Sequence, residues 1–239
     1  MKTALVLLVS CFLSSAVYSQ EIPKLNIGVG YPFIIPGSGN TVGELYADGT
    51  TFNIFADKPF FFRLKKKPEF IVSPGISYLH LEETRYDGGG LASDEHGEYI
   101  RNAFSIYSKF LYKPNLNRIG KHNWNFGLIT GYYVYTHVDG IFEWTFLQDG
   151  PDYHGSNKFN GDDKDFFKSF YFGFVSDFQF NFKKVRFLKP AIELSFYPNY
   201  ANIAADYYID NDIKANRSMI MGSIILGLGS KKISNKIEK

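Results

Sequence analysis

Apolar and polar side chains alternate with a period of two along most of the chain, and segments rich in Gly, Asn, Asp and Pro interrupt the alternation. That pattern predicts strands separated by turns. The run over 169–182 is the plainest case. Phe170, Phe172, Phe174, Phe178, Phe180 and Phe182 share one face; Ser169, Tyr171, Gly173, Val175, Asp177, Gln179 and Asn181 share the other. A helix would scatter these rings around its axis, whereas a pleated strand gathers them. Leu188, Pro190, Ile192, Leu194 and Phe196 repeat the arrangement against Lys189, Ala191, Glu193, Ser195 and Tyr197. Near the start, Leu25, Ile27, Val29, Tyr31 and Phe33 oppose Asn26, Gly28, Gly30 and Pro32. Phe104, Ile106 and Phe110 oppose Arg101, Ala103, Ser105, Tyr107 and Lys109. Trp124, Phe126, Leu128, Thr130, Tyr132 and Val134 oppose Asn125, Gly127, Ile129, Gly131 and His137. Looser alternation covers 70–82 and 218–229, and a further strand over 52–64 carries Lys58-Pro59, which calls for a bulge there. The total is about eight strands.

Alternation alone does not say which face is hidden, because a soluble barrel or sandwich shows the same period. Two features favour an inverted barrel, with the rings outward. The polar face is built mostly of Gly, Ser, Ala, Asn and Tyr with isolated charges, namely Arg101, Lys109, Asp177, Lys189 and Glu193. Small residues and scattered charges suit a narrow lumen in which opposite walls meet, and such charges must pair because an unpaired buried ion costs several kcal/mol. The connections also alternate in length. Long ones (37–49, 85–98, 147–165, 201–217) follow the odd strands, and short ones (65–67, 114–123, 183–185) follow the even strands. Long connections on one side and short ones on the other are the pattern of transmembrane β-barrels of the outer-membrane type. The expected fold is therefore all-β: a closed antiparallel up-and-down transmembrane β-barrel. Phe170, Phe172, Phe174, Phe178, Phe180, Leu194 and Phe196 are expected to face lipid.

Composition fits that expectation. Phe (24) and Tyr (17) are abundant while Trp (2) is scarce, a bias that suits strands with girdles of rings. The formal charge of +2 gives no basic field for nucleic acid. No apolar run after the first residues is long enough for a transmembrane helix. Residues 1–19 read as a signal peptide: Lys2 begins it, Ala4 to Leu13 form its short apolar stretch, and Val17-Tyr18-Ser19 offers a cleavage site before Gln20. Leu8-Val9-Ser10-Cys11 also resembles a lipidation motif, although the apolar run continues through Phe12 and Leu13. Cys11 is the only cysteine, so the chain beyond the signal has no disulfide, thiol nucleophile or Cys-bound metal. The barrel is expected over 20–232, with a basic tail over 233–239.

In plan the chain resembles the small outer-membrane β-barrel families, of which the transmembrane domain of OmpA and OmpX are examples. The resemblance covers the chain after the signal and rests on pattern rather than on one motif. Such chains commonly end on an aromatic residue closing the last strand. Here the strand through Ile224, Leu226 and Leu228 is followed by Lys231 to Lys239, so recognition of this C-terminus by the assembly machinery would differ. The resemblance implies an exported Gram-negative envelope protein in the cell outer membrane. Its partners would be membrane lipid, lipopolysaccharide, the barrel-assembly machinery and an unidentified surface partner, with no nucleic acid.

Candidate chemistry is sparse. His137-Val138-Asp139 invites comparison with barrel proteases, where a His and carboxylates activate water, and the parity of its strand directs both polar side chains into the lumen. His80-Leu81-Glu82 falls on the lipid side, and Ser77, a conceivable nucleophile, lies on the opposite face. Acidic residues crowd the long connections (Asp87, Asp94, Glu95, Asp149, Asp152, Asp162, Asp163, Asp165, Asp206, Asp210, Asp212) without calcium-loop spacing. Gly88-Gly89-Gly90 lacks the strand-then-helix context of a phosphate cradle. No catalytic set, metal or cofactor follows. The expected role is a non-enzymatic barrel serving envelope integrity or presenting surface loops. Two alternatives are a soluble periplasmic lipocalin-like carrier with its rings turned inward, and a barrel hydrolase acting on lipid A or peptides.

Overall fold

The computed structural model describes residues 25–35, 44–46, 50–63, 69–87, 93–114, 123–146, 153–163, 167, 169–180, 188–203 and 215–229. Residues 1–19, read from the sequence as a signal and including Cys11, the basic turns and tail, the triple glycine and most of the acidic connection residues lie outside them. The described residues form eleven strands: β1 (Leu25–Ile35), β2 (Glu44–Tyr46), β3 (Phe52–Asp57), β4 (Phe60–Arg63), β5 (Glu69–Asp87), β6 (Ser93–Lys113), β7 (Asn123–Phe146), β8 (Tyr153–Gly161), β9 (Phe170–Gln179), β10 (Leu188–Ile203) and β11 (Ala215–Leu228). β2, β3 and β4 lie end to end along β5, and β8 and β9 do the same along β7. β11 pairs with β1 over the whole of β1, which closes an eight-strand, all-antiparallel, up-and-down barrel.

The tilt can be read from the register. One circuit of paired residues starts at Trp124 and passes through Phe178, Ile192, Ile224, Val29, Ile54, Tyr78 and Phe104. It returns to β7 at Tyr135, eleven positions along. Strands staggered this far must be steeply inclined to the barrel axis, and the interior of so small a barrel is just wide enough for side chains to fill.

Every residue on that circuit has its side chain on the outer face. Val29 is 54%, Phe170 60%, Phe174 53%, Leu194 57% and Ile224 72% exposed, while Arg101, Lys109 and Glu193 are buried. The rings therefore point out and the polar face points in, the opposite of what the carrier alternative requires. Phe172 is exposed with its neighbours, and Phe178 and Phe196 are exposed to a lesser degree. Phe180, one residue past β9, is half-buried and stands edge-on to Phe178 with ring centres 5.1 Å apart. Polar atoms on this outer face are satisfied locally: Trp124 Nε1 donates to Ser176 Oγ at 2.7 Å. The glycines of the inner face make room for rings laid against the wall. A side chain on Gly131 would collide with the ring of Tyr171, and one on Gly75 with that of Tyr107.

Two expectations change. No residue is inserted at Lys58-Pro59: the pairing with β5 keeps one register through β3 and β4, and only the ladder is interrupted. The Lys58 amide still donates to the Pro74 carbonyl at 3.0 Å, and the return bond of that pair is missing because Pro74 has no N–H. The long connections are also shorter than alternation suggested. β5 and β6 stay paired to Asp87 and Glu95, β8 occupies 153–161, and β10 and β11 remain paired from 201–203 to 215–217. Glycines and charges break the two-residue pattern in these stretches, yet the neighbouring strand supplies hydrogen-bond partners whatever the side chain.

Candidate functional site

β6 reads out the lumen from one end to the other, because its inward residues are Lys109, Tyr107, Ser105, Ala103, Arg101 and Tyr99. At the short-turn end, Lys109 Nζ lies 2.6 Å from Glu193 Oε2 on β10 and 3.2 Å from Asp57 Oδ2 on β3. Asp57 also accepts from Tyr107 Oη at 3.1 Å and from Asn26 Nδ2 at 2.8 Å. The ammonium sits 4.4 Å from the centre of the Phe55 ring. Beside this group, Asn125 Nδ2 donates to Asp177 at 2.5 Å. The middle is neutral: Ser77, Ser105 and Tyr171 join through contacts of 2.8 and 2.9 Å, and Tyr171 packs on Tyr133 and Tyr197.

Toward the other end a second cation, Arg101, donates from Nε to Glu83 at 3.0 Å and from Nη1 to both oxygens of Asp163 at 2.6 and 2.7 Å. Asp163 is not on a strand. It lies between β8 and β9 and, like Phe167 further along, is buried inside the barrel. The Phe167 amide donates to the Asp163 carbonyl at 3.1 Å, and the Phe167 ring, 2% exposed, packs on Tyr133. Among the described residues, two ion clusters and the Phe167 ring thus occupy the interior, and the space left among the Lys109 group is about 20 Å³, room for little beyond a water molecule.

The sequence-identified lumen charges are distributed as follows. Lys109 and Glu193 meet, Arg101 forms the second cluster, and Asp177 is held by Asn125. Lys189 is half-buried near the short-turn end and makes no ion pair among the described residues. Asp57, Glu83 and Asp163 complete the clusters and were not anticipated. Asp57 abuts the interrupted Lys58-Pro59 pair, Glu83 lies one residue past the expected end of its strand, and Asp163 was grouped with solvated loop acids. Parity would have found the first two, since Asp57 shares a face with Asn53 and Phe55, and Glu83 with Leu79 and Leu81.

His137 and Asp139 are not in the lumen. β7 carries an extra residue at Val134, so that Tyr133 pairs with Ser105 but Tyr135 pairs with Phe104. A bulge of this kind reverses the face of everything beyond it. Thr136 turns inward, and His137 and Asp139 turn outward. His137 stacks on Tyr135 (ring centres 6.2 Å apart, planes at 14°). It is the register partner of Asn102, which is the partner of His80. His80 Nδ1 lies 2.8 Å from Asn102 Oδ1, Nε2 lies 3.3 Å from Glu82, and the ring stacks on Phe52. The two sequence candidates therefore join in one outward row, His80–Asn102–His137, just beyond the half-buried ring of Tyr78 and the exposed rings of Phe104 and Tyr135. Among the described residues no group of acidic, His or Cys side chains could hold a metal ion.

No protein-family model matches the chain, and no curated protein matches it in sequence. Among solved structures, the chain is similar to Ail, the attachment invasion locus protein of Yersinia pestis, at 12% identity over 88% of this chain and 98% of that one, with a TM-score of 0.32. A second structure of Ail, in complex with the heparin analogue sucrose octasulfate, matches at 13% identity over 87% and 97% with a TM-score of 0.28. The NanC porin matches at 10% identity over 86% and 100% with a TM-score of 0.25.

Proposed function

We propose that this chain is an integral outer-membrane protein, non-enzymatic, whose barrel is a sealed anchor and whose working surface is the sheet that extends beyond the apolar belt. The inverted burial carries this reading. An outer wall of Leu, Ile, Val and Phe running around a closed barrel is far larger than the apolar patch of a few hundred Å² that a water-soluble monomer tolerates. The outward run from Trp124 to Val134 also has the length a tilted strand needs to cross hydrocarbon, about 9–11 residues. No helix among the described residues is long and apolar enough to cross a membrane, so crossing would be by strands. In this reading the row of His80, Asn102 and His137 lies at headgroup level, where amphipathic and polar side chains are at home.

Beyond that row, β5, β6, β7 and β8 continue as one sheet, with β2 added at the β5 edge. Its inward side carries Tyr99, Phe142 and Phe159, with Arg101 5.1 Å from the Tyr99 ring centre. A sheet that rises this far past the belt suits contact with an external partner or with lipopolysaccharide rather than transport. The filled lumen argues against bulk diffusion.

Fractionation of cells expressing the full chain tests the reading. The protein should enter the outer-membrane fraction and run differently on a denaturing gel before and after boiling. Protease added to intact cells should trim the extension and leave the barrel. Purified protein in planar bilayers should show no stable conductance. Recovery in the periplasmic extract, or a steady open channel, would overturn it.

A further inference from the structure

We propose that the Lys109 cluster binds one buried water molecule, which bridges Glu193 on β10 to Asn53 on β3. The site lies inside the barrel and depends on its closure, not on the membrane reading. Glu193 is 1% exposed, and its Oε2 takes the Lys109 ammonium at 2.6 Å. Its other oxygen, Oε1, is buried and accepts no hydrogen bond among the described residues. A carboxylate offers about four acceptor sites, and burying one short of donors forfeits its hydration without replacement. Asn53, also buried, makes no side-chain hydrogen bond among the described residues. Both side chains border the space of about 20 Å³ within the cluster, and so does Lys109.

One water needs roughly 10–15 Å³ of such space and two to four polar partners. Three are at hand. Glu193 Oε1 and Asn53 Oδ1 each accept from the water. Lys109 has three N–H groups and meets one oxygen of Glu193 and one of Asp57, so a third remains to donate to it. The surroundings also select against an ion. A cation would meet the Lys109 ammonium, and an anion would meet the carboxylates of Asp57 and Glu193. A neutral molecule of this size with two protons to donate suits a space richer in acceptors than in donors. Through it the cluster reaches the carboxylate oxygen that the ammonium leaves unpaired, and Asn53 joins Asp57 as a second contact from β3.

The test uses the full chain, isotopically labelled, in phosphatidylcholine–phosphatidylglycerol bilayers. Solid-state NMR follows magnetisation passing from water protons to protein carbons, and the initial build-up rate reports how near water lies. Glu193 Cγ and Asn53 Cβ should build up several-fold faster than Cβ of Ala191, which is buried and faces inward two residues nearer the short-turn end. Asn53→Leu removes one partner and puts an apolar side chain against the space, so the rate at Glu193 should fall several-fold, to that of Ala191. If that variant loses its heat-dependent gel mobility, Ser77→Thr brings a single methyl group to the same space. Rates at Glu193 and Asn53 no faster than at Ala191 in the unaltered chain, or unchanged in the filled variant, overturn the site. A Glu193 carboxyl signal that moves when sodium is exchanged for potassium also overturns it, because an ion would then be the occupant. Failure of the membrane reading would leave the site standing, since the same rates can be read from the protein in solution.

Discussion

The two cations of the lumen, Lys109 and Arg101, stand eight residues apart on the same face of β6 and are held in different ways. Both acids around Lys109 lie on strands, Asp57 on β3 and Glu193 on β10, so this cluster ties three walls of the barrel together. Among the described residues Arg101 takes one acid, Glu83, from the neighbouring strand and another, Asp163, from outside the strands. The side-chain chemistry suits each task. A compact ammonium sits between point acceptors and over a ring, whereas a guanidinium with several fixed donors can grip a carboxylate with one edge while bonded to another. The Lys109 cluster is therefore a strut of the barrel, and the Arg101 cluster is a catch that holds Asp163, which lies off the strands, to the wall.

Replacing Lys109 gives the largest expected effect. Lys109→Met keeps the bulk of the stem but strands Asp57 and Glu193 without a counter-charge, and breaking a buried pair in this way costs about 3–5 kcal/mol. Urea unfolding in vesicles, followed by tryptophan fluorescence, should show that loss across the whole barrel. A lost stability well under 1 kcal/mol would mean that the cluster is not a strut. Arg101→Met should cost less, about 2–3 kcal/mol, because of the two acids it meets among the described residues only Glu83 belongs to a strand. Its signature is local. The Phe167 amide should lose protection from hydrogen exchange while the amides of β1 and β11 keep theirs. Uniform loss of protection would erase the distinction between strut and catch.

How much of this was legible beforehand follows the same division. Strand number, closure and the outward rings were in the two-residue alternation, since a buried or lipid-facing strand face has to be apolar at every second position. Lys109, Glu193 and Arg101 were in it too, as charges on the small-residue face. The set of Arg101, Lys109, Lys189, Asp177 and Glu193 nevertheless carried more cation than anion, and a dry lumen would demand further acids. Asp57 and Glu83 were recoverable by counting parity outward from their strands. Asp163 was not, because nothing in the local sequence says that one acid of a connection reaches Arg101 while its neighbour Asp162 accepts from Thr136 on β7. The bulge at Val134 was equally hidden. Tyr133-Val134-Tyr135 alternates no worse than its surroundings, and only pairing with β6 reveals the extra residue that carries His137 and Asp139 to the outer face. Periodicity reports a face only as far as the register is unbroken.

Asp177 allows the comparison to be sharpened by its smallest effect. It is the register partner of Glu193 on the adjacent strand, and both side chains face inward, so the strut carries a third carboxylate where the described residues give the catch two. Like charges directly opposite on paired strands are destabilising by a few tenths to about 1 kcal/mol. Asp177→Asn removes that repulsion and leaves an amide oxygen for Asn125 to donate to, so it should stabilise the barrel by up to about 1 kcal/mol in the same urea assay. The effect should also depend on the company it keeps. With Lys109 in place its ammonium offsets part of the repulsion; in the Lys109→Met background nothing does, so Asp177→Asn should recover more stability there than in the wild type. In the Arg101→Met background its effect should be unchanged, because among the described residues that cluster shares no partner with Asp177. Equal recovery in all three backgrounds would mean that Asp177 acts on its own, and the strut would end at Asp57 and Glu193.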